Sequence, residues 1–226
     1  MNWPDGDPEP GATGPDAAGF VLAGGRSSRM GRDKALIRLT GQPLVVHALQ
    51  VLREAGLTAS IAGGSSSLKA FAPVVEDTEP GLGPLGGICA ALASTSARWA
   101  VFLPLDLPLL PASLIAFLLD RALITGAAIT VPSVNGYAQS FPAVVERAVL
   151  PWLRAELEAG RGGCFAAFQA ATASLGQSVT VLAVELLVQS GRIAHPESLP
   201  AARWFLNVNA PEDLRLATAY RASLIA

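Results

Sequence analysis

Four cations crowd into nine positions near the start of the chain: Arg26, Arg29, Arg32 and Lys34 follow directly on Gly24 and Gly25. This is how an anion site is written. Glycine lets the backbone approach a ligand closely, so that successive amide N–H groups converge on phosphate oxygens, and the side-chain cations neutralise the remaining charge. The spacing excludes the two commonest phosphate loops, because neither the G-x-x-x-x-G-K-[ST] string nor G-x-G-x-x-G fits Ala23-Gly-Gly-Arg-Ser-Ser-Arg-Met-Gly-Arg-Asp-Lys34. A Gly-Gly turn with arginines is by itself just as often a plain connection, so other residues must decide.

Asp106 is the second candidate. It lies in Pro104-Leu-Asp-Leu-Pro108, directly after the apolar run Trp99 to Leu103. A carboxylate at the carboxyl end of a buried strand sits where doubly wound sheets bind ligands, and its hard oxygens suit Mg²⁺. Capping a turn is the plainer role. Pro80-Gly-Leu-Gly-Pro-Leu-Gly-Gly87 runs into Ile88 to Ala93, so a glycine-rich loop again opens a helix on whose first amides a ligand can rest. Its plainer role is close packing of helix on sheet.

Neither His nor Cys offers a persuasive catalyst. His47 falls inside a helical stripe and reads as an interhelical or surface residue; His195 reads as a loop histidine ahead of the last strand. Cys89 and Cys164 sit among Ala, Gly and apolar residues, as buried thiols of a reducing compartment do. Chemistry at a phosphate needs no such group. It needs positive charge on a departing phosphate, a hard cation at the phosphorus attacked and an aligned nucleophile. Lys34 with Arg29 supplies the first, Asp106 the anchor for the second, and backbone amides from Leu22 to Arg26 a cradle for the phosphates.

These residues need elements to hold them. Phe20 to Leu22 predicts a strand ahead of the glycine turn, Ala35 to Leu39 a short strand after it, and Leu44 to Ala55 an amphipathic helix started at Pro43 and stopped by Gly56. Thr58 to Ala62, Val74-Val75 and Trp99 to Leu103 predict further strands, the last of them apolar throughout as in a sheet covered on both faces. Helices are expected over Ser113 to Leu123, Leu150 to Ala159, Cys164 to Ala173 and Pro211 to about Leu224. Strands are expected over Ala127 to Val131, Tyr137 to Val145 and Val179 to Val184. The alternation predicts an α/β fold: a single Rossmann-like domain with a mostly parallel sheet flanked by helices on both faces. The four informative loops, 23 to 34, 76 to 87, 104 to 108 and 207 to 213, each follow a predicted strand and so should share one sheet edge.

Composition bounds the partners. The chain has 226 residues, 51% of them hydrophobic, which is enough for one substantial core. Residues 1 to 18 hold Asp5, Asp7, Glu9 and Asp16 without a Lys or Arg and are rich in Pro and Gly, so they read as a disordered acidic tail ahead of a domain over 19 to 226. Setting that tail aside moves the formal charge from −2 to +2. A near-neutral body with its bases in one cluster argues for a small anionic substrate and against nucleic acid. The start lacks the basic and apolar pattern of a secretory signal, and the uncharged stretch Gly162 to Val184 is broken by Gln, Ser, Thr and Gly, so a cytoplasmic location and no membrane segment are expected.

The string Leu22-Ala-Gly-Gly-Arg-Ser-Ser-Arg-Met-Gly-Arg-Asp-Lys34 resembles the opening motif of nucleotidyltransferases, and most closely that of the molybdenum cofactor guanylyltransferase (MobA-like) family. The resemblance continues in family order through Val75-Glu-Asp77 with Pro80 to Gly87, Leu105-Asp106-Leu-Pro108, and Asn207-Val-Asn209-Ala-Pro-Glu-Asp213. It implies a fold of the nucleotide-diphospho-sugar transferase type and transfer of GMP from Mg-GTP to molybdopterin, with release of pyrophosphate. Molybdoenzyme maturation proteins would then be recipients of the product. By position, Leu22, Ala23, Gly24, Gly25, Lys34, Asp77 and Asp106 would meet the nucleotide, Asp106 would hold Mg²⁺, and Asn207 and Asn209 would lie towards the acceptor.

Three departures from the family pattern stand out. Leu105 replaces a common Cys, Ala62-Gly63-Gly64 stands where the base pocket often has Asn, and Gln139-Ser140 stands where the family has His-Pro. They leave open a cytidylyltransferase acting on the same cofactor, or a sugar-phosphate nucleotidyltransferase, which assay with each of the four NTPs separates. A non-catalytic nucleotide-binding module is countered by intact Lys34 and Asp106. An NAD-dependent oxidoreductase is countered by the glycine spacing.

Overall fold

A computed structural model describes residues 16–24, 33–77, 81–161 and 163–222. Gly25 and Arg29, expected at the site, and nearly all of the acidic tail lie outside the described residues. The first strand, β1 (Ala17–Leu22), begins two residues ahead of the expected domain start.

β1 is the central strand of the parallel half of the sheet. It pairs in parallel with β4 (Thr58–Ala62) on one side and β6 (Trp99–Pro104) on the other, and β4 pairs in parallel with β5 (Val74–Val75). Beyond β6 the sheet turns mixed. β9 (Ala143–Glu146) runs antiparallel between β6 and β7 (Ile129–Val134), and β10 (Thr180–Ala183) lies parallel to β7 at the far edge. β8 (Tyr137–Ala138) folds back on β7 as a hairpin, so the order reads β10-β7-β9-β6-β1-β4-β5 with β8 off that path. The sheet is mixed but mostly parallel.

Period-2 alternation explains the continuous apolar strands. Along β6, Trp99, Val101 and Leu103 enter one core while Ala100 and Phe102 enter the other. The first core packs under α1 (Leu44–Glu54) and α3 (Ala112–Thr125), through Leu49, Leu52, Leu114 and Leu118. The second packs under α2 (Gly83–Ser94), α4 (Leu150–Glu158) and α5 (Cys164–Ala173), through Leu85, Ile88, Leu153 and Phe168. Both faces of β1 and β6 are dry, and every large side chain there gains about 1.5–3 kcal/mol from burial. Phe20 of β1 stacks on Phe102 of β6 at a centroid distance of 5.7 Å, which ties the two strands that carry the site.

Three expectations need correction. Ala35 to Leu39 is not one strand: the Asp33 carboxylate accepts from Ala35 N at 3.1 Å and caps a 3-10 turn over Lys34–Leu36. Only β2 (Arg38–Leu39) remains extended, paired antiparallel with β3 (Gln42–Pro43) in a separate ribbon. Among the described residues no strand follows β10. Val184, expected at a strand end, opens α6 (Val184–Gln189), His195 lies between helices, and Trp204 closes α7 (Ala201–Trp204), where its indole donates to Leu199 O. Consequently the loop 207 to 213 follows a helix rather than a strand, and α8 (Pro211–Ala222) ends the described chain.

Candidate functional site

The glycine turn leaves the sheet between two neighbours. Ala23 N donates to Ala62 O at 2.9 Å and Leu22 O accepts from Leu105 N at 3.4 Å, so the β1 exit is wedged between the loops after β4 and β6. Gly63 sits against it at φ +75°; a Cβ there would come within 3.1 Å of the Gly24 backbone. Both the left-handed conformation and the close approach demand glycine. The Asn often found in this part of the family pattern has no room at Gly63.

Lys34 is set by its own turn. Asp33 caps that turn and also accepts from Ser65 Oγ at 3.0 Å, fastening it to the loop after β4. Lys34 Nζ then donates to Asn209 Oδ1 at 2.7 Å and lies 3.3 Å from Asp106 Oδ2. Three residues from three distant segments therefore meet at one point. Lys34 and Asp106 keep 20% and 26% of their side-chain surface exposed, so both remain open to a ligand. An ion pair this accessible contributes little to stability.

The Asp106 loop is joined to the asparagine loop by backbone, since Val208 N donates to Asp106 O at 2.8 Å. The latter loop is shaped by Asp213, whose Oδ2 accepts from Asn209 N at 2.9 Å and Ala210 N at 2.8 Å at the start of α8. Asp213, the last residue of the motif that begins at Asn207, thereby sets where Asn209 points. A helix N-terminus recruits such a carboxylate for its free amides.

A cavity of about 420 Å³ opens over this meeting point. Leu22, Ala23, Gly24, Lys34, Asp106 and Asn207 line it, and so do Pro84, Gln139, Ser140 and Phe141. The last three come from the β8–β9 connection, which carries no charged residue and no glycine pattern; the sole sequence signal was that Gln139-Ser140 stands in place of a family His-Pro. Asn209 contacts Lys34 rather than the cavity wall.

Asp77 lies behind the glycine turn instead of on the cavity wall. Its carboxylate is packed among Gly24, Gly63 and Gly87, so close that a Cβ on any of the three would lie 3.2–3.5 Å from it. Asp77 Oδ1 is buried without a hydrogen-bond partner among the described residues, and burial raises its carboxyl above the usual range. A buried acceptor left unpaired calls for a donor from elsewhere.

The remaining candidates for acid, base or nucleophile are absent from the cavity. Burial pushes the Cys89 and Cys164 thiols up to about 11, and both histidines are buried with their basicity lowered, chiefly by desolvation. No cluster of three or more His, Cys, Asp or Glu among the described residues can hold a metal unaided. Asp106 is a lone hard oxygen donor beside an ammonium, which fits Mg²⁺ held jointly with substrate phosphates and water rather than in an all-protein cage.

A parallel-sheet pocket with a glycine turn, a lysine and a single carboxylate defines an α/β nucleotidyltransferase. Solved structures agree on the fold: molybdopterin-guanine dinucleotide biosynthesis protein A of Archaeoglobus fulgidus superposes with a TM-score of 0.72 at 19% identity, covering 91% of this chain and 99% of that one. A CMP:2-keto-3-deoxy-manno-octonic acid synthetase complexed with CTP superposes with a TM-score of 0.63 at 15% identity, covering 92% and 98%. The MobA-like NTP transferase domain matches residues 19–178, and the chain belongs to that family. Proteins named molybdenum cofactor guanylyltransferase are similar in sequence. That of Vibrio atlanticus (strain LGP32) is 31% identical over 198 residues, 86% of this chain and 91% of its own. That of Xanthomonas euvesicatoria pv. vesicatoria (strain 85-10) is 44% identical over 102 residues, 45% of this chain and about half, 52%, of its own length.

Proposed function

We propose that the protein transfers GMP from Mg-bound GTP to molybdopterin, releasing pyrophosphate and forming a guanine dinucleotide cofactor in the cytoplasm. One observation carries the reading: Lys34 Nζ lies 3.3 Å from Asp106 Oδ2 at the cavity, although 72 residues separate them in sequence. A cation for departing phosphate and an anchor for a metal are thus side by side. Relatives bearing the guanylyltransferase name supply the substrate class.

In the reaction an oxygen of the acceptor phosphate forms a bond to the α-phosphorus while the bond from that phosphorus to the bridging oxygen breaks. The leaving pyrophosphate keeps the electron pair. Lys34 stabilises the charge that accumulates on it, and Arg29 on the glycine turn assists. Of the amides expected to hold the triphosphate, from Leu22 to Arg26, that of Ala23 is already given to Ala62 O, so the work falls to those beyond it. Asp106 would hold Mg²⁺, whose chemistry here is neutralisation of phosphate charge. Because the attacking phosphate is anionic, no side chain has to remove a proton, in keeping with a cavity free of His and Cys. Asn209 orients Lys34, and Asn207 faces the acceptor. Asp77, behind the glycine turn, would act on the nucleotide through Gly24 and Gly63, against which its carboxylate packs, and the preference for GTP over CTP rests on the names of the relatives.

The test is pyrophosphate release by the purified protein with each of the four NTPs, Mg²⁺ and molybdopterin, with the dinucleotide product identified by mass. Release specific to GTP and dependent on acceptor is expected. Turnover with CTP alone would move the assignment to the cytidylyl reaction, and turnover with no NTP would remove it.

A further inference from the structure

Behind the Lys34–Asp106 pair lies a polar cluster of two buried histidines and the half-buried Arg221, which the reaction does not touch. Arg221, in the last turn of α8, donates from Nη2 to Pro108 O at 3.0 Å and from Nη1 to His47 Nδ1 at 3.3 Å. His47 Nε2 in turn bonds Leu39 O at 2.9 Å. Pro108 is two residues beyond Asp106, and Leu39 closes the segment that begins at Lys34. One guanidinium therefore spans the two segments whose side chains meet across the cleft. His195 Nε2 bonds Leu109 O at 3.1 Å beside it, so the Asp106 loop has its carbonyls at 106, 108 and 109 all held by residues 195 to 221.

Proton placement follows from the donors. Arginine only donates, so His47 Nδ1 accepts and its Nε2–H faces Leu39 O; Glu197 N–H donates to His195 Nδ1 at 3.1 Å, which leaves Nε2–H for Leu109 O. Both rings are neutral and fixed in orientation. The cluster is not arranged for stability alone. Arg221 Nε and Glu197 Oε2 are buried without hydrogen-bond partners among the described residues, and a buried ionic group left partly unsatisfied is often replaced by apolar side chains without loss.

We infer that Arg221 is a positioning residue for nucleotidyl transfer: by bridging the Pro108 carbonyl and His47, it fixes the separation between Asp106 and Lys34. This rests on the functional reading above. All of the clamp's C-terminal donors, Arg221, His195 and Val208, fall beyond residue 178, where the family match ends, so the part of the chain after that match sets the geometry of the part within it. Misplacing a metal anchor or a charge partner by an ångström costs about a hundredfold in rate, whereas binding of a metal-free nucleotide to the glycine turn does not depend on that spacing.

The experiment compares wild type with R221M, which keeps the apolar stem and removes both donors, and with H47L and H47Q. R215A serves as the control, being an exposed change on the same helix. Binding of α,β-methylene GTP is measured with and without Mn²⁺, beside kcat and KM. R221M and H47L are expected to bind the analogue without metal within about twofold of wild type, to lose about tenfold or more of the Mn²⁺-linked tightening, and to lose about tenfold or more in kcat with little change in KM. H47Q, whose amide can donate to Leu39 O and accept from Arg221, is expected to retain wild-type values, as is R215A. A lower Tm for R221M and H47L with unchanged metal linkage and kcat overturns the inference. Should R221M fail to fold, the H47L and H47Q pair decides the matter alone. Wild type that shows no Mn²⁺-linked binding of the analogue overturns the functional reading itself.

Discussion

The two halves of the sheet do different work at one cavity. The parallel half, β5-β4-β1-β6, brings Ala23, Gly24 and Asp106 to the cavity wall at the carboxyl ends of its strands, with Asp77 behind them. The mixed half reverses a strand: β9 runs antiparallel beside β6, with Phe102 opposite Ala143, so the connection entering β9 arrives at the same edge and brings Gln139, Ser140 and Phe141 to the cavity. One half is built of charge and glycine, the other of neutral side chains. Charge chemistry can serve any triphosphate, whereas shape and hydrogen bonding must suit a particular acceptor, so under the proposed function the contrast would divide reactivity from selectivity.

The sharpest break is at the parallel half. Asp106→Asn or Lys34→Met should lower kcat by on the order of 10²–10³-fold with a Tm near that of wild type, read by pyrophosphate release and thermal melting. An activity loss that tracks a Tm loss would mean the pair is structural. Phe102 joins the halves, packing on Phe20 and lying opposite Ala143 with no exposed surface, so Phe102→Ala should cost about 3–5 kcal/mol by urea denaturation. A cost under about 1 kcal/mol would show that the halves are not coupled through it.

The mixed half should respond in a different parameter. Gln139→Ala with Ser140→Ala is expected to raise KM for the acceptor about tenfold while GTP binding stays within twofold; equal effects on both substrates would erase the division. Asp77→Asn separates stability from binding. Because burial raises its carboxyl, the charged form opposes folding at neutral pH, so the variant should melt no lower than wild type and yet bind GTP more weakly. A stability loss would point to a hidden cation partner.

Smallest is the pH response, and it comes from buried groups away from the cavity. His47 and His195 face Arg221 and Glu197 and have lowered basicity in the fold. The unfolded chain takes up their protons first, so stability should be full above the ordinary value of 6.5 and decline as pH falls through it. Cys89 and Cys164 act at the other end. With folded values of about 11 against an ordinary 9.0, they stabilise below pH 9 and cease to do so as pH rises towards 11. Urea midpoints from pH 5 to 10.5, repeated with both cysteines changed to Ala, would show each arm; a flat alkaline arm in wild type would contradict the burial of the thiols.

What could be read early was whatever physical chemistry writes locally. Trp99 to Leu103 announces a doubly covered strand, Pro43 and Gly56 bracket α1, and Gly24 and Lys34 are both found at the cavity. The strand expected at Ala35 to Leu39 failed because Asp33 offers its carboxylate to Ala35 N, a local bond that periodicity does not register. The loop 207 to 213 does lie at the expected edge, but it reaches Asp106 through Val208 N rather than by following a strand. Gln139 and Ser140 stand out in the sequence only as departures from a family pattern.

The sequence by itself determined the groups available to this protein: the glycines of the first turn, the lysine, the carboxylates, and the alternating apolar runs that make a two-faced sheet. These depend on residue type and on neighbours within a few positions. Only the tertiary structure decided which of them meet. That Lys34 lies beside Asp106, that Asp77 Oδ1 has no donor among the described residues, and that Arg221 bonds both Pro108 O and His47 are consequences of strand order and of the last helix folding back. Those distances are set by packing between segments as far as 175 residues apart, and no local spacing encodes them.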